Sequence, residues 1–158
     1  MRSSACLGAE AVPHIVKSTI LEAPTGVVWN VLRDFNGHDR WHPAVATSMI
    51  ERAQAADRIG CVRRFKLKDG SELREQLLGL SDLEQTFSYC LLDTPIPMFN
   101  YVAHVRLLPV TDGDRTFWHW ESRFTARPTE AAALTEMVSE QIYQAGFDAI
   151  RRHLLEAA

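Results

Sequence analysis

The stretch Gly60-Cys61-Val62-Arg63-Arg64-Phe65-Lys66-Leu67-Lys68-Asp69-Gly70-Ser71-Glu72-Leu73-Arg74-Glu75-Gln76-Leu77 reads as two strands folded on a tight turn. Asp-Gly between alternating residues is a strong hairpin signal, because glycine accepts the positive φ that such turns need. Strand side chains point alternately to the two faces of a sheet. Cys61, Arg63, Phe65 and Leu67 therefore share one face, and Val62, Arg64, Lys66 and Lys68 the other. The second set is mostly charged and belongs to solvent, which leaves Arg63 inside. On the returning strand Leu73, Glu75, Leu77 and Gly79 share a face, so Glu75 also points inward. A buried charge without a partner is expensive, and each of the two is expected to satisfy the other.

Outward from this hairpin the pattern continues in both directions. His14 to Glu22 alternates as a strand, and Ala23-Pro24-Thr25 stops it, with Thr25 placed to cap a helix. Val27, Val28, Val31 and Leu32 share a helical face beside Trp29, and Asp34 to Pro43 leaves room for a short second helix packed down by Trp41. Val45 to Glu51 reads as a strand. After the hairpin come Thr86 to Leu92, Asn100 to Leu108 and Arg115 to Phe124, separated by Thr94-Pro95-Ile96-Pro97 and Thr111-Asp112-Gly113. Short turns at regular spacing imply an antiparallel meander. From Thr129 the period becomes helical, through Leu134, Met137, Val138, Gln141, Ile142, Ala145, Ala149 and Ile150 to about Leu155. The expected class is α+β: a curved antiparallel sheet wrapped around a long C-terminal helix, with two short helices after the first strand. Residues 1–13 read as a disordered lead and 14–158 as a single domain.

The same alternation assigns the inner surface. Tyr101 and Ala103 face inward on one strand, Trp118, Trp120 and Phe124 on the next, and Tyr89 on a third. The expected ligand wall is Phe65, Leu77, Tyr89, Trp118, Trp120 and Phe124 from the sheet, closed by Met137 and Gln141 from the helix. Arg63, Glu75 and Tyr101, with Tyr89 beside them, are the polar groups within it. An apolar wall with a few orienting polar groups is what a small-molecule pocket requires. In such a pocket Glu75 would serve as a base, Arg63 would hold a ligand oxygen, and Tyr101 would orient the ligand or pass a proton.

Composition bounds the alternatives. With 46% hydrophobic and 23% charged residues, the 158-residue chain is ordinary globular protein. A net charge of -3 argues against a general nucleic-acid surface. Cys6, Cys61 and Cys90 give neither a CxxC spacing nor an even count, so no zinc site or disulfide framework is expected and a cytoplasmic setting fits. No run approaches a membrane span. The six histidines are scattered without ligand spacing, and no glycine-rich phosphate loop occurs, so no metal or cofactor is expected. The partner expected is an apolar or amphipathic small molecule, bound by a monomer or weak homodimer.

The order of these elements resembles the START-like helix-grip superfamily, also called SRPBCC, which includes polyketide cyclase/dehydrase-type proteins. The resemblance rests on Ala23-Pro24-Thr25-Gly26-Val27-Val28-Trp29, Asp34-Phe35, Trp41-His42-Pro43, Gly60-Cys61-Val62-Arg63, Asp69-Gly70, Arg74-Glu75-Gln76-Leu77, Tyr89, Asn100-Tyr101, Trp120 and the C-terminal helix. Within the superfamily, the plant lachrymatory factor synthases carry a similar Arg, Glu and Tyr, which match Arg63, Glu75 and Tyr101. The resemblance implies cofactor-free acid–base catalysis as a cyclase, dehydratase or isomerase on a polyketide-like or sulfenic acid-like substrate. A non-catalytic carrier or sensor of a hydrophobic molecule is the alternative it leaves open.

Overall fold

Seven antiparallel strands form one sheet in the order β1-β7-β6-β5-β4-β3-β2 in the computed structural model, which describes residues 9–158. The strands are β1 (His14–Leu21), β2 (Val45–Ile50), β3 (Val62–Leu67), β4 (Glu72–Ser81), β5 (Thr86–Asp93), β6 (Phe99–Val110) and β7 (Arg115–Thr125). From β2 to β7 every strand pairs with its neighbour in sequence, and β1 closes on β7. Burial alternates as expected along the long strands: Tyr101, Ala103, Val105 and Leu107 on β6 are buried, as are Trp118, Trp120, Ser122 and Phe124 on β7. The hairpin turn has Gly70 at a φ of 91°, with Asp69 Oδ1 accepting the Ser71 N–H at 2.8 Å. On the outer face Arg64 and Lys66 are exposed, and Arg64 lies beside Glu51 and Glu72.

Between β1 and β2 lie α1 (Thr25–Leu32) and a single 3-10 turn, Gly37–Arg40. Pro24 occupies the N-cap of α1 and Thr25 is already helical, so the expected threonine cap is absent. Trp29 and Arg33 instead pin α1 to the β4–β5 turn, their nitrogens donating to Asp82 at 2.7 Å each. The C-terminal helix runs without a break through α2 (Pro128–Glu136), a π-helical stretch (Met137–Gln144) and α3 (Ala145–Glu156). Lys17 of β1 contacts Glu140 at 3.1 Å, and Arg151 donates to Thr19, so both ends of the helix's second half are tied to the sheet edge.

The sequence places the start of order at His14, but pairing begins earlier: Ala11 and Ala126 exchange backbone hydrogen bonds at 3.0 and 2.9 Å. Residues 1–8 of the expected disordered lead, Cys6 among them, lie outside the described residues. Cys61 and Cys90 are free thiols. Among the described residues no helix is long and apolar enough to cross a membrane, and no three metal-binding side chains converge.

Candidate functional site

A cavity of about 370 Å³ lies between the concave face of the sheet and the C-terminal helix. Arg63, Phe65, Glu75, Tyr89, Tyr101, Trp118 and Trp120 line it from the sheet, and Met137 and Gln141 from the π-helical stretch. Two residues assigned to the wall from sequence do not reach it. Leu77 is fully buried in the core, and Phe124 stacks on Tyr101 with ring centroids 6.2 Å apart, behind the cavity. Alternation reveals which face a side chain takes, and the cavity occupies only part of the inner face. The β5–β6 connection contributes Ile96 and Met98 to the lining, and no residue of 53–59 reaches it.

Arg63 and Glu75 sit directly opposite each other on β3 and β4. The Arg63 Nε donates to Glu75 Oε2 at 2.8 Å, and Nη2 lies 2.6 Å from the same oxygen. Nη1 donates to the Phe35 carbonyl at 2.7 Å, while the Phe35 ring lies 4.0 Å beneath the guanidinium. The cation is thus held by a carboxylate, a carbonyl and an aromatic face, a combination that makes its burial tolerable. Each of the pair keeps only 8% of its surface exposed. Burial raises the Glu75 carboxyl above its ordinary pKa, and the Arg63 charge and hydrogen bond oppose that rise. Because both contacts fall on Oε2, Oε1 is the oxygen that Arg63 does not hydrogen-bond.

A second polar group belongs to the tyrosines. Tyr101 Oη lies 2.8 Å from Tyr143 Oη, and Trp120 Nε1 donates to Tyr89 Oη at 3.2 Å. Burial pushes all three phenols well above their ordinary pKa, and the nearby Glu75 charge adds to the rise. They remain protonated hydrogen-bond donors. Tyr101 owes its aim to a β-bulge: the β6–β7 register shifts between Phe99 and Val102, with Asn100 at a φ of 54°.

Sequence reasoning missed four contributors. Nothing in Asp34-Phe35 marks the phenylalanine as the seat of Arg63. Tyr143 lies off the expected helical stripe, because the π-helical stretch inserts a residue and rotates the rest of the helix by roughly 100°. The Ala145 N–H accordingly reaches back five residues to the Glu140 carbonyl. His38 and His42 carry no recognisable spacing. Both are buried and both line the cavity. A second depression, of about 660 Å³, opens around His104, His119 and Glu121 toward the outer face. It is more open than the cavity and contains no buried ion pair.

A helix-gripping sheet with an apolar cavity and a sparse polar end defines a START-like, SRPBCC-type ligand-binding protein. The family described as polyketide cyclase/dehydrase and lipid transport matches residues 13–155, and the chain belongs to it. No curated protein matches it in sequence. Among solved structures it is similar to an uncharacterised Bacillus thuringiensis protein, with 23% identity and a TM-score of 0.80, covering 90% of this chain and 99% of that one. It is also similar to the Zhui aromatase/cyclase of a Streptomyces species, with 19% identity over 90% of this chain and 93% of that one, and a TM-score of 0.75. Norcoclaurine synthase from Thalictrum flavum, in complex with dopamine and hydroxybenzaldehyde, gives 13% identity, a TM-score of 0.75, and coverage of 94% and 90%. At these identities the likeness concerns the fold.

Proposed function

We propose that this protein is a cofactor-independent acid–base enzyme, a cyclase, dehydratase or isomerase, acting on a polyketide-like substrate. One observation carries the reading: a desolvated carboxyl, Glu75, faces an apolar cavity with one oxygen outside its hydrogen bond to Arg63. Burial raises its proton affinity, which suits a group that removes a proton from carbon next to a carbonyl. Arg63 stabilises the oxyanion that forms as that proton leaves, and Tyr101 with Tyr143 supplies a protonated donor to the same end of the ligand. A sulfenic acid-like substrate would use the same trio for a proton shift. The family's cyclase/dehydrase and aromatase/cyclase relatives support the polyketide-like choice over it.

A carrier or sensor of a hydrophobic molecule is the second reading, favoured by the internal neutralisation of Arg63 and by the lipid-transport part of the family description. The two separate in one experiment. A panel of 1,3-diketones and poly-β-ketone mimics is incubated with wild type and Glu75→Gln, and consumption and binding are measured in parallel. An enzyme turns over at least one compound, and Glu75→Gln lowers kcat by about two orders of magnitude or more while binding persists. Binding in both proteins with turnover in neither would leave the carrier.

A further inference from the structure

The two opposite charges inside the cavity are held unequally. Arg63 Nη1 donates to the Phe35 carbonyl at 2.7 Å, and the guanidinium carbon lies 4.0, 5.2 and 5.7 Å from the ring centroids of Phe35, Tyr89 and Phe65. None of these supports depends on Glu75. The carboxylate has Arg63 alone: among the described residues no other group donates a hydrogen bond to it. Both side chains also keep some accessible surface in the cavity they line, 9% for Arg63 and 10% for Glu75.

That imbalance decides what happens when an anion enters. The guanidinium stays on Phe35 and turns Nε and Nη2, both now on Glu75 Oε2, toward the newcomer. Glu75 is then a buried carboxylate without a donor, a state that buried charges do not keep. Its surroundings offer no second cation. Tyr89 and Cys90 approach it from β5, Tyr101 from β6 and Tyr143 from the helix. His38 and His42 line the far side of Arg63 and are held below the ordinary imidazole value, by burial first and then by the Arg63 charge. Asp34 belongs to Arg40 at 2.7 Å, and Lys68 and Asp69 stand exposed at the rim. Burial already raises the Glu75 carboxyl, and only the Arg63 charge and hydrogen bond oppose it. Withdrawing them leaves the rise alone.

We propose that the cavity binds anions with apolar bodies and takes up one proton with each: the anion replaces Glu75 on Arg63, and Glu75 accepts a proton from water. Charge balances. A guanidinium facing a carboxylate becomes the same guanidinium facing the ligand, beside a neutral acid. The proposal rests on the reading of the cavity as a ligand site and deepens it by naming the ligand class. Stable phenolates, carboxylates and sulfonates on an apolar ring fit, and they enter more readily as pH falls. The exchange is the same one that proton abstraction requires. In turnover the proton on Glu75 comes from the substrate carbon and the anion is the enolate left behind, whereas with a ready-made anion the proton comes from solvent.

The test pairs 2-naphthalenesulfonate, anionic at every pH used, with 2-acetylnaphthalene, a neutral molecule on the same ring. Titration calorimetry in buffers of different ionisation heat is expected to show about one proton taken up per sulfonate and none per ketone. Sulfonate affinity falls about tenfold between pH 7 and pH 8, while ketone affinity stays constant. The sulfonate has no carbonyl, so the C=O stretch of a newly protonated carboxyl stands alone in the infrared difference spectrum. Glu75→Gln lacks that band. With Arg63 freed, the variant binds the sulfonate at least about tenfold tighter than wild type at pH 8, without proton uptake. Uptake and band are both read on wild type, so a variant that fails to fold leaves the test intact. Three results overturn the proposal and leave the cavity: sulfonate bound without proton uptake, uptake traced by ring 15N shifts to His38 or His42 without a carboxyl band, or no sulfonate binding where the ketone binds. Failure of both molecules to bind overturns it together with the cavity reading. Absence of turnover in the diketone panel overturns the catalytic reading alone.

Discussion

At the scale of single residues the Arg63–Glu75 pair is the feature on which both stability and chemistry depend. Removing one partner strands a buried charge, so Arg63→Met is expected to cost about 3–5 kcal/mol in urea unfolding. Removing both charges restores a matched apolar pair, and Arg63→Met/Glu75→Leu should recover most of that loss. A double variant as unstable as the single one would mean that the pair holds the hairpin together. The pair also has a pH signature. Burial raises the native pKa of Glu75, so the folded state binds its proton more tightly than the unfolded chain does. The stability this gives is fully present below the unfolded carboxyl pKa of 4.5 and is lost as pH rises through the higher native value. His38 and His42, held neutral by burial, slope the other way between their depressed native values and 6.5. The Glu75 part is isolated by subtraction: urea midpoints of wild type should fall relative to Glu75→Gln as pH rises above 4.5. A constant difference across that range would sink the assignment. The inward aim of Arg63 and Glu75 was legible in the sequence because strand period two admits no other face for them beside Phe65 and Leu73. His38 was not, since nothing in Asn36-Gly37-His38-Asp39 announces which side of a 3-10 turn meets the sheet.

At the scale of elements the C-terminal helix shows where periodicity stops being informative. Leu134 and Val138 are buried on the expected stripe, as are Ala149 and Ile150 toward its end, but Tyr143, Gly146 and Phe147 between them are buried off it. A period of 3.6 carried through from Leu134 places Ala145 inward and leaves Tyr143 and Phe147 out. The widened stretch is also the part of the helix that lies over the cavity, contributing Met137, Val138, Gln141 and Ile142, and His42 clamps it through the Ile142 carbonyl. Gly146 comes directly after it. A Cβ there would stand 3.0 Å from Trp120 Cζ3 and 3.5 Å from both Trp41 and His42. Trp120 cannot yield easily, being stacked on Tyr143 with centroids 4.2 Å apart and on Trp118 at 5.4 Å, and hydrogen-bonded to Tyr89. Alanine gains about 1 kcal/mol in helix propensity over glycine, whereas overpacking of a fixed core costs about 1–3 kcal/mol. Gly146→Ala is therefore expected to destabilise by about 1 kcal/mol net, seen as a lower melting temperature. An increase would mean that the helix can lift from Trp120, and with it the roof of the cavity.

At the scale of the whole molecule, the meander and the helix divide the work. The β1–β7–β6 half of the sheet is stitched by long ladders, interrupted only by the bulge at Phe99–Val102, and tied to the helix by Lys17 and Arg151. The other half is shorter and bulged: β2 shifts register between Val45 and Thr47, and β4 does so twice against β5. The residues that bound the cavity toward solvent come from this second half and from the helix above it, namely Lys68, Asp69 and Ser71 at the hairpin tip, the half-buried Ile96, and the exposed Gln141. Binding to the folded state alone suppresses local opening wherever the ligand bridges elements, and leaves distant elements at their own opening free energies. Hydrogen exchange with and without saturating 2-acetylnaphthalene should therefore slow at residues 68–71, 94–98 and 137–144, while the amides of 14–21 keep their rates. Protection confined to 79–81, 104–108 and 117–121 would instead assign binding to the outer depression around His104 and Glu121. In that case the buried Arg63–Glu75 pair would be an ion pair that sets hairpin register, and neither catalysis nor ligand orientation could be drawn from it.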